Sequence, residues 1–107
     1  MSDFVTLLEE VFAQLGPVKA RKMFGGYGLY HEGVMFGLVA DDTLYLKADE
    51  MNVGTFTERA LQPFEYDKGK KVVKMSYYQA PEEVLENPVE AAVWARRSFE
   101  AAKRAKT

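Results

Sequence analysis

Three features predict an α+β fold built on an antiparallel sheet. The chain starts with an amphipathic helical stretch, passes into a long middle section whose apolar period is two, and ends in an alanine-rich helical stretch. Turns in the middle section are short, so neighbouring strands must run antiparallel. The expected arrangement is a four-strand meander plus a hairpin, packed by the N- and C-terminal helices as a single domain over residues 1–107.

Ser2 or Asp3 caps the first helix, whose apolar positions Phe4, Val5, Leu7, Leu8, Val11, Phe12 and Leu15 recur at helical spacing. Gly16-Pro17 stops it, because proline cannot continue the hydrogen-bond ladder. Arg21 to Phe24 reads as a strand, Gly25-Gly26 as a bend or bulge, and Tyr27 to His31 as the next strand. Glu32-Gly33 turns the chain into Val34–Ala40, and Asp41-Asp42 turns it into Thr43–Lys47. Along Val34–Ala40 the sets Val34, Phe36, Leu38, Ala40 and Met35, Gly37, Val39 point opposite ways, and both are apolar. A strand of that kind is central and covered on both faces, or has one face covered by a second copy of the chain.

A short helix falls around Val53, Phe56 and Ala60. Pro63–Tyr66 and Lys70–Tyr78 form a hairpin about Asp67-Lys68-Gly69, with Val73, Met75 and Tyr77 on one face and Lys70, Lys74 and Ser76 on the other. Pro81 opens a helical turn through Leu85. Asn87-Pro88-Val89-Glu90 has the pattern of a capping box with proline at the first helical position, and the last helix runs from there towards Lys106.

The composition is that of an ordinary globular domain, at 48% hydrophobic and 28% charged residues. There is no cysteine, which removes disulfides, thiolate nucleophiles and cysteine-ligated metals. No apolar run approaches the roughly 20 residues of a membrane helix, and the N-terminus lacks the basic and apolar regions of a leader, so the expected compartment is the cytoplasm. A net charge of −2 gives the chain no bulk attraction for nucleic acid.

Each candidate for chemistry has a simpler structural account. His31, the one histidine, stands beside a hairpin turn and Glu32, and reads as an exposed polar residue with no orienting partner for acid–base work. One histidine and scattered carboxylates make no metal site. Gly25, Gly26 and Gly28 resemble a phosphate loop, but a strand follows them where such a loop needs a helix, so they read as backbone devices in a sheet. No serine or threonine has a base partner, and neither catalysis nor a cofactor is expected.

Basic residues fall into three groups: Lys19, Arg21 and Lys22; Lys68, Lys70, Lys71 and Lys74; and Arg96, Arg97, Lys103, Arg104 and Lys106. Lys70, Lys71 and Lys74, together with Arg97, Lys103 and Arg104, are the candidate contacts for nucleic acid. The simpler account of the second group is an edge strand that lysine guards against aggregation. Tyr27, Tyr30, Tyr45, Tyr66, Tyr77 and Tyr78 all fall in strands, and such a density suits a half-wet face open to a partner or to a second copy.

The string Arg21-Lys22-Met23-Phe24-Gly25-Gly26-Tyr27-Gly28-Leu29-Tyr30, then Gly33, Phe36 and Leu44-Tyr45-Leu46-Lys47, resembles the N-terminal domain of the TfoX/Sxy family. Phe64-Glu65-Tyr66 and Ser76-Tyr77-Tyr78 before Pro81 fit the same pattern, and the resemblance covers nearly the whole chain. It implies an α+β fold similar to secretion-chaperone-like proteins. It also implies a role in regulating natural competence, alongside the cyclic-AMP receptor protein at promoters of DNA-uptake genes, and no catalytic residues. Longer members carry a C-terminal domain with helical-hairpin character, which is absent from this sequence. The expectation is a non-enzymatic regulatory module that binds a protein partner such as a transcription regulator, or itself, through an exposed part of the sheet. A nucleic-acid-binding module and a small-ligand protein with a pocket near Gly25–Tyr30 are the competing readings.

Overall fold

Alternation of apolar side chains carries the chain back and forth through one six-stranded antiparallel sheet. The structure, a computed structural model, describes residues 3–23, 25–68 and 71–106, with the side chains of residues 66–68, 71–75 and 106 outside that description. Its elements are α1 (Asp3–Val11), β1 (Lys19–Met23), β2 (Gly26–His31), β3 (Val34–Ala40), β4 (Thr43–Lys47), α2 (Val53–Thr57), β5 (Pro63–Lys68), β6 (Lys71–Gln79), α3 (Glu83–Glu86) and α4 (Pro88–Lys106). The strands lie in the order β1-β2-β3-β4-β6-β5, so the expected meander and hairpin form one sheet. Ser2, Phe24, Gly69 and Lys70, named above as cap, strand end and turn, lie outside the described residues.

The first helix is shorter than its apolar spacing predicts. It ends at Val11, and the Leu15 N–H donates to the Phe12 carbonyl at 2.9 Å in a tighter turn. Tightening keeps both Phe12 and Leu15 buried, with the Phe12 ring edge-on to Phe36 at 5.6 Å. The hairpin turns are as read. Glu32 and Gly33 have φ of 50° and 79°, and Asp41 and Asp42 have 50° and 53°, the left-handed pair that a tight β2–β3 or β3–β4 turn requires. The expected turn residues Asp67 and Lys68 belong to β5, pairing with Val72 and Lys71 inside the ladder.

Strict alternation fails in β3. Leu29 pairs with Gly37 but Tyr30 pairs with Met35, which leaves Phe36 as an extra residue. This bulge changes the parity of the strand, so Phe36 and Val39 join the same core although the spacing predicts opposite faces. Both faces of β3 are nonetheless buried: Phe36, Gly37, Leu38 and Val39 are all inaccessible.

The main core lies between one sheet face and the helices. Leu29, Phe36, Val39, Leu44 and Leu46 meet Leu8 and Phe12 from the α1 end, Val84 from α3, and Trp94, Ala95 and Phe99 from α4. Small alanines let α4 lie close along β3 and β4. Asn87 caps it, its side-chain oxygen accepting from Val89 N–H at 3.0 Å and Glu90 N–H at 3.3 Å. The reciprocal half of the capping box is not used, because the Asn87 N–H donates to the Glu83 carbonyl instead. Asn52, which the sequence reading passes over, is buried and closes the turn after β4. It accepts from Asp49 N–H at 2.7 Å and donates to the Lys47 carbonyl at 3.0 Å.

Candidate functional site

Directly paired residues of neighbouring strands share a face. Arg21, Gly28, Leu38 and Tyr45 stand opposite one another across β1 to β4, as do Lys19, Tyr30 and Met35 across β1 to β3. Met23 faces Gly26, and Lys47 faces Tyr77. These residues occupy the rear face of the sheet, opposite the helix-packed one. Phe64 joins them, its ring edge-on to Tyr45 at 5.0 Å. Most of the residues that carry the family pattern thus gather on one surface: Arg21, Met23, Gly26, Gly28, Tyr30, Tyr45, Lys47, Phe64 and Tyr77.

The remainder fall elsewhere. Gly25 and Gly33 take φ of 74° and 79° in turns. Tyr78 points to the helices and stacks on Phe56 at 5.5 Å. Phe24 and the Tyr66 side chain lie outside the described residues.

Side chains on the rear face are engaged with one another. The Arg21 guanidinium lies 5.4 Å from the centre of the Tyr30 ring, and the Lys47 ammonium 5.2 Å from that of Tyr77. Lys47 also donates to Ser76 Oγ at 2.6 Å. Met23 and Tyr30 lie over the bare backbone of Gly28. Tyr77 is 8% exposed, and its hydroxyl donates to the Met35 carbonyl at 3.4 Å. Burial, with a smaller push from Tyr30, raises its pKa to about 12. Tyr30 and Tyr45 remain half-buried.

At the β1–β2 end the rear face opens into a cleft of about 600 Å³, lined by Pro17, Lys19, Arg21, Tyr30, His31, Glu32 and Gly33. A second, of about 240 Å³, shares Tyr30 and Gly33 and includes Lys47, Tyr77 and Ala102 of α4. A further cleft, of about 480 Å³, is lined by Lys22, Met23, Gly25, Gly26 and Tyr27, so hollows lie at both ends of the Gly25–Tyr30 stretch.

His31 corrects an expectation. It is 4% exposed instead of solvated, its Nδ1–H donating to the Pro17 carbonyl at 2.8 Å and its ring edge-on to Phe99 at 4.9 Å. The carbonyl can only accept, which assigns the proton to Nδ1. The signal was its parity with Leu29, a core residue two positions back. Its remaining nitrogen is 3.4 Å from the exposed Glu32 carboxylate.

The basic strand is also corrected. β6 lies between β4 and β5, so it is not an edge that lysines guard; the edges are β1 and β5. Lys70 and the side chains of Lys71 and Lys74 lie outside the described residues. Of the helical cations, Arg97 lies 5.4 Å from the Trp94 ring centre, and Lys103 lies over Phe99 with Glu100 3.8 Å away. Arg104 forms a two-pronged pair with Asp49, at 2.6 and 3.0 Å, whose hydrogen bond holds that carboxyl below its usual range. Among the described residues no three histidine or carboxylate side chains gather as a metal site, and no helix is long and apolar enough to cross a membrane. What the rear face presents is hydroxyls, ring edges, thioethers and fixed cations, a set suited to holding a ligand.

Comparison with known proteins agrees with the geometry. The chain is 28% identical over 99 residues to Protein Sxy of Escherichia coli (strain K12), covering 92% of this chain and 47% of that protein. It is 34% identical over 79 residues to DNA transformation protein TfoX1 of Aliivibrio fischeri (strain ATCC 700601 / ES114), covering 70% of this chain and 38% of that protein. The chain thus spans less than half the length of each. The model of the TfoX N-terminal domain matches residues 10–102, and the chain belongs to that family.

Proposed function

We propose that this domain is a non-enzymatic regulatory module of TfoX/Sxy type that engages a protein partner through the rear face of its sheet. The observation that carries the reading is the gathering of Arg21, Met23, Tyr30, Tyr45, Lys47, Phe64 and Tyr77 on one surface outside the helix-packed core. Tyr30 and Tyr45 there are half-buried, a balance of apolar ring and polar hydroxyl found at partner interfaces. Under this reading the partner is a transcription regulator and the place of action is the cytoplasm. Family membership and the name of the Aliivibrio relative, a DNA transformation protein, support it.

The test is capture of partners from native host cells with the wild-type chain and with Tyr45→Glu, whose fold is first checked by circular dichroism. A partner held by the wild type and lost by the variant supports the rear face. A partner held equally by both defeats the reading. A second copy of the chain is the other occupant of the notched, half-wet face, and light scattering across concentrations separates that outcome from a heterologous partner.

A further inference from the structure

Of the two edge strands, β1 combines a free edge with unbroken positive charge, whereas β5 carries Glu65 and Asp67. Among the described residues β1 pairs with β2 alone, and it is the first strand in the sheet order. Its sequence, Lys19-Ala20-Arg21-Lys22-Met23, contains no acid, although the chain as a whole is negative. Lys19 and Arg21 project onto the rear face and Lys22 onto the other, all three exposed. Directly beside them is the larger cleft, where Tyr30 and the buried His31 form the floor. The single acid of that cleft, Glu32, lies against His31.

A free edge with unsatisfied backbone groups and unbroken positive charge restricts what can occupy it. A second copy pairing through β1 would set lysine and arginine opposite lysine and arginine, which like-charge repulsion opposes. Single-stranded nucleic acid would need bare ring faces for its bases to stack on. Here Tyr30 already carries Arg21, Tyr77 carries Lys47, and Tyr45 is closed by Phe64. An extended acidic segment meets neither obstacle. Its backbone can pair with β1, and its alternate carboxylates can lie across from Lys19 and Arg21 on the rear face, at the mouth of the cleft beside Tyr30.

We infer that β1 is a docking edge for an acidic, extended segment of a protein partner, added to the sheet as a further strand. This rests on the reading that the partner is a protein. It goes further in naming the edge, the mode of contact and the charge of the segment. The lysines have a double effect under it: they repel identical edges and select an acidic one.

The test uses a fluorescently labelled peptide of alternating glutamate and valine, with two comparison probes: the same peptide with lysine in place of glutamate, and an oligothymidylate of matching length. The expected result is saturable binding of the acidic peptide that weakens with salt. Amide shifts on titration should centre on residues 19–23 and on Tyr30. The double change Lys19→Glu with Arg21→Glu should weaken binding by about tenfold or more, since both pairs turn repulsive. Lys103→Glu, on α4, should leave it unchanged.

No binding of the acidic peptide overturns the inference. So do shifts centred away from β1, indifference to the double change, or preferential binding of the oligothymidylate at the same residues. The cell-capture experiment separates this inference from the broader one. A partner lost by Tyr45→Glu but kept by the Lys19/Arg21 double variant leaves the rear face standing and defeats the docking edge.

Discussion

On its helix side the sheet is closed by Phe12, Phe36, Phe56 and Trp94, whose rings meet edge-on or packed among alanines and leucines. On its rear side the rings are those of Tyr30, Tyr45, Tyr77 and Phe64, and two of them carry a cation. Both sides bury apolar surface, but they finish it differently. Where cover is complete phenylalanine and leucine dominate, which have no polar atom to satisfy. Where cover is partial the chain uses tyrosine, whose ring packs while its hydroxyl stays polar. Basic side chains lie across rings on both sides, Arg21 and Lys47 on the rear and Arg97 and Lys103 over Trp94 and Phe99. A sheet face of the second kind keeps its shape when free and still has something to offer a partner.

The sharpest way to break this comparison is to empty one ring position on each side. Phe36→Ala removes a fully buried ring from the bulge and should cost about 3–5 kcal/mol in denaturant unfolding. Tyr45→Ala, on the half-buried side, should cost about 1–2 kcal/mol. Equal losses would make the rear face a second core and remove the distinction.

Adding a methyl group compares a rear-face glycine held against backbone with one covered only by side chains. A Cβ on Gly26 would stand 1.9 Å from the Val39 carbonyl oxygen, which cannot yield, so Gly26→Ala should cost about 3 kcal/mol. At Gly28 the nearest atoms are the far ends of Met23, Tyr30 and Met35, which can move aside, and Gly28→Ala should cost about 1 kcal/mol or less. Thermal melts of the two variants compare them directly.

Tyr77 is the most buried of the rear-face rings described, and alkali should report it. Its folded pKa is raised from 10.0 to about 12, so the folded state holds the phenolic proton more tightly. The associated stability, on the order of 2 kcal/mol, is present in full below pH 10 and is lost as pH rises from 10 towards 12. Tyr77→Phe should remove the latest step in the ultraviolet titration of tyrosinate. Persistence of that step in the variant would show that the ring is more accessible than its 8% exposure implies.

The smallest effect is expected at the tie between Asp49 and Arg104. The hydrogen bond from Arg104 holds the Asp49 pKa below its ordinary value of 3.8, so its contribution is present above that pH and disappears as pH falls through the lowered value. Arg104→Gln should flatten this acid limb in a pH series of melting temperatures while changing neutral stability little, because the pair is solvent-exposed.

Much of the fold is legible before any coordinates. The change from helical to alternating periodicity marks the sheet, and Glu32-Gly33 and Asp41-Asp42 locate two turns whose left-handed backbones the structure contains. What is not legible depends on contacts distant in sequence. The order β4-β6-β5 decides which lysines sit on an edge, and nothing local to Lys70–Lys74 encodes it. The Phe36 bulge exists only relative to Tyr30 and Leu29 on the neighbouring strand. The burial of His31 is hidden by its nearness to a turn and is set by its register with Leu29. The motif residues of the rear face were all identifiable one by one. Their gathering on a single surface became visible only with the pairing of β1 to β4 and of β6 to β4.

The extra residue at Phe36 behaves like an inserted letter in a two-letter repeat. Upstream of it Met35 faces the rear with Tyr30, and downstream Leu38 faces the rear with Tyr45, so the insertion restores phase between two stretches that would otherwise be out of step. Exchanging a side chain on either side of it leaves that phase intact. Changing the number of residues between His31 and Gly37 does not, because losing one would turn the dry and wet sides of the sheet over at that end.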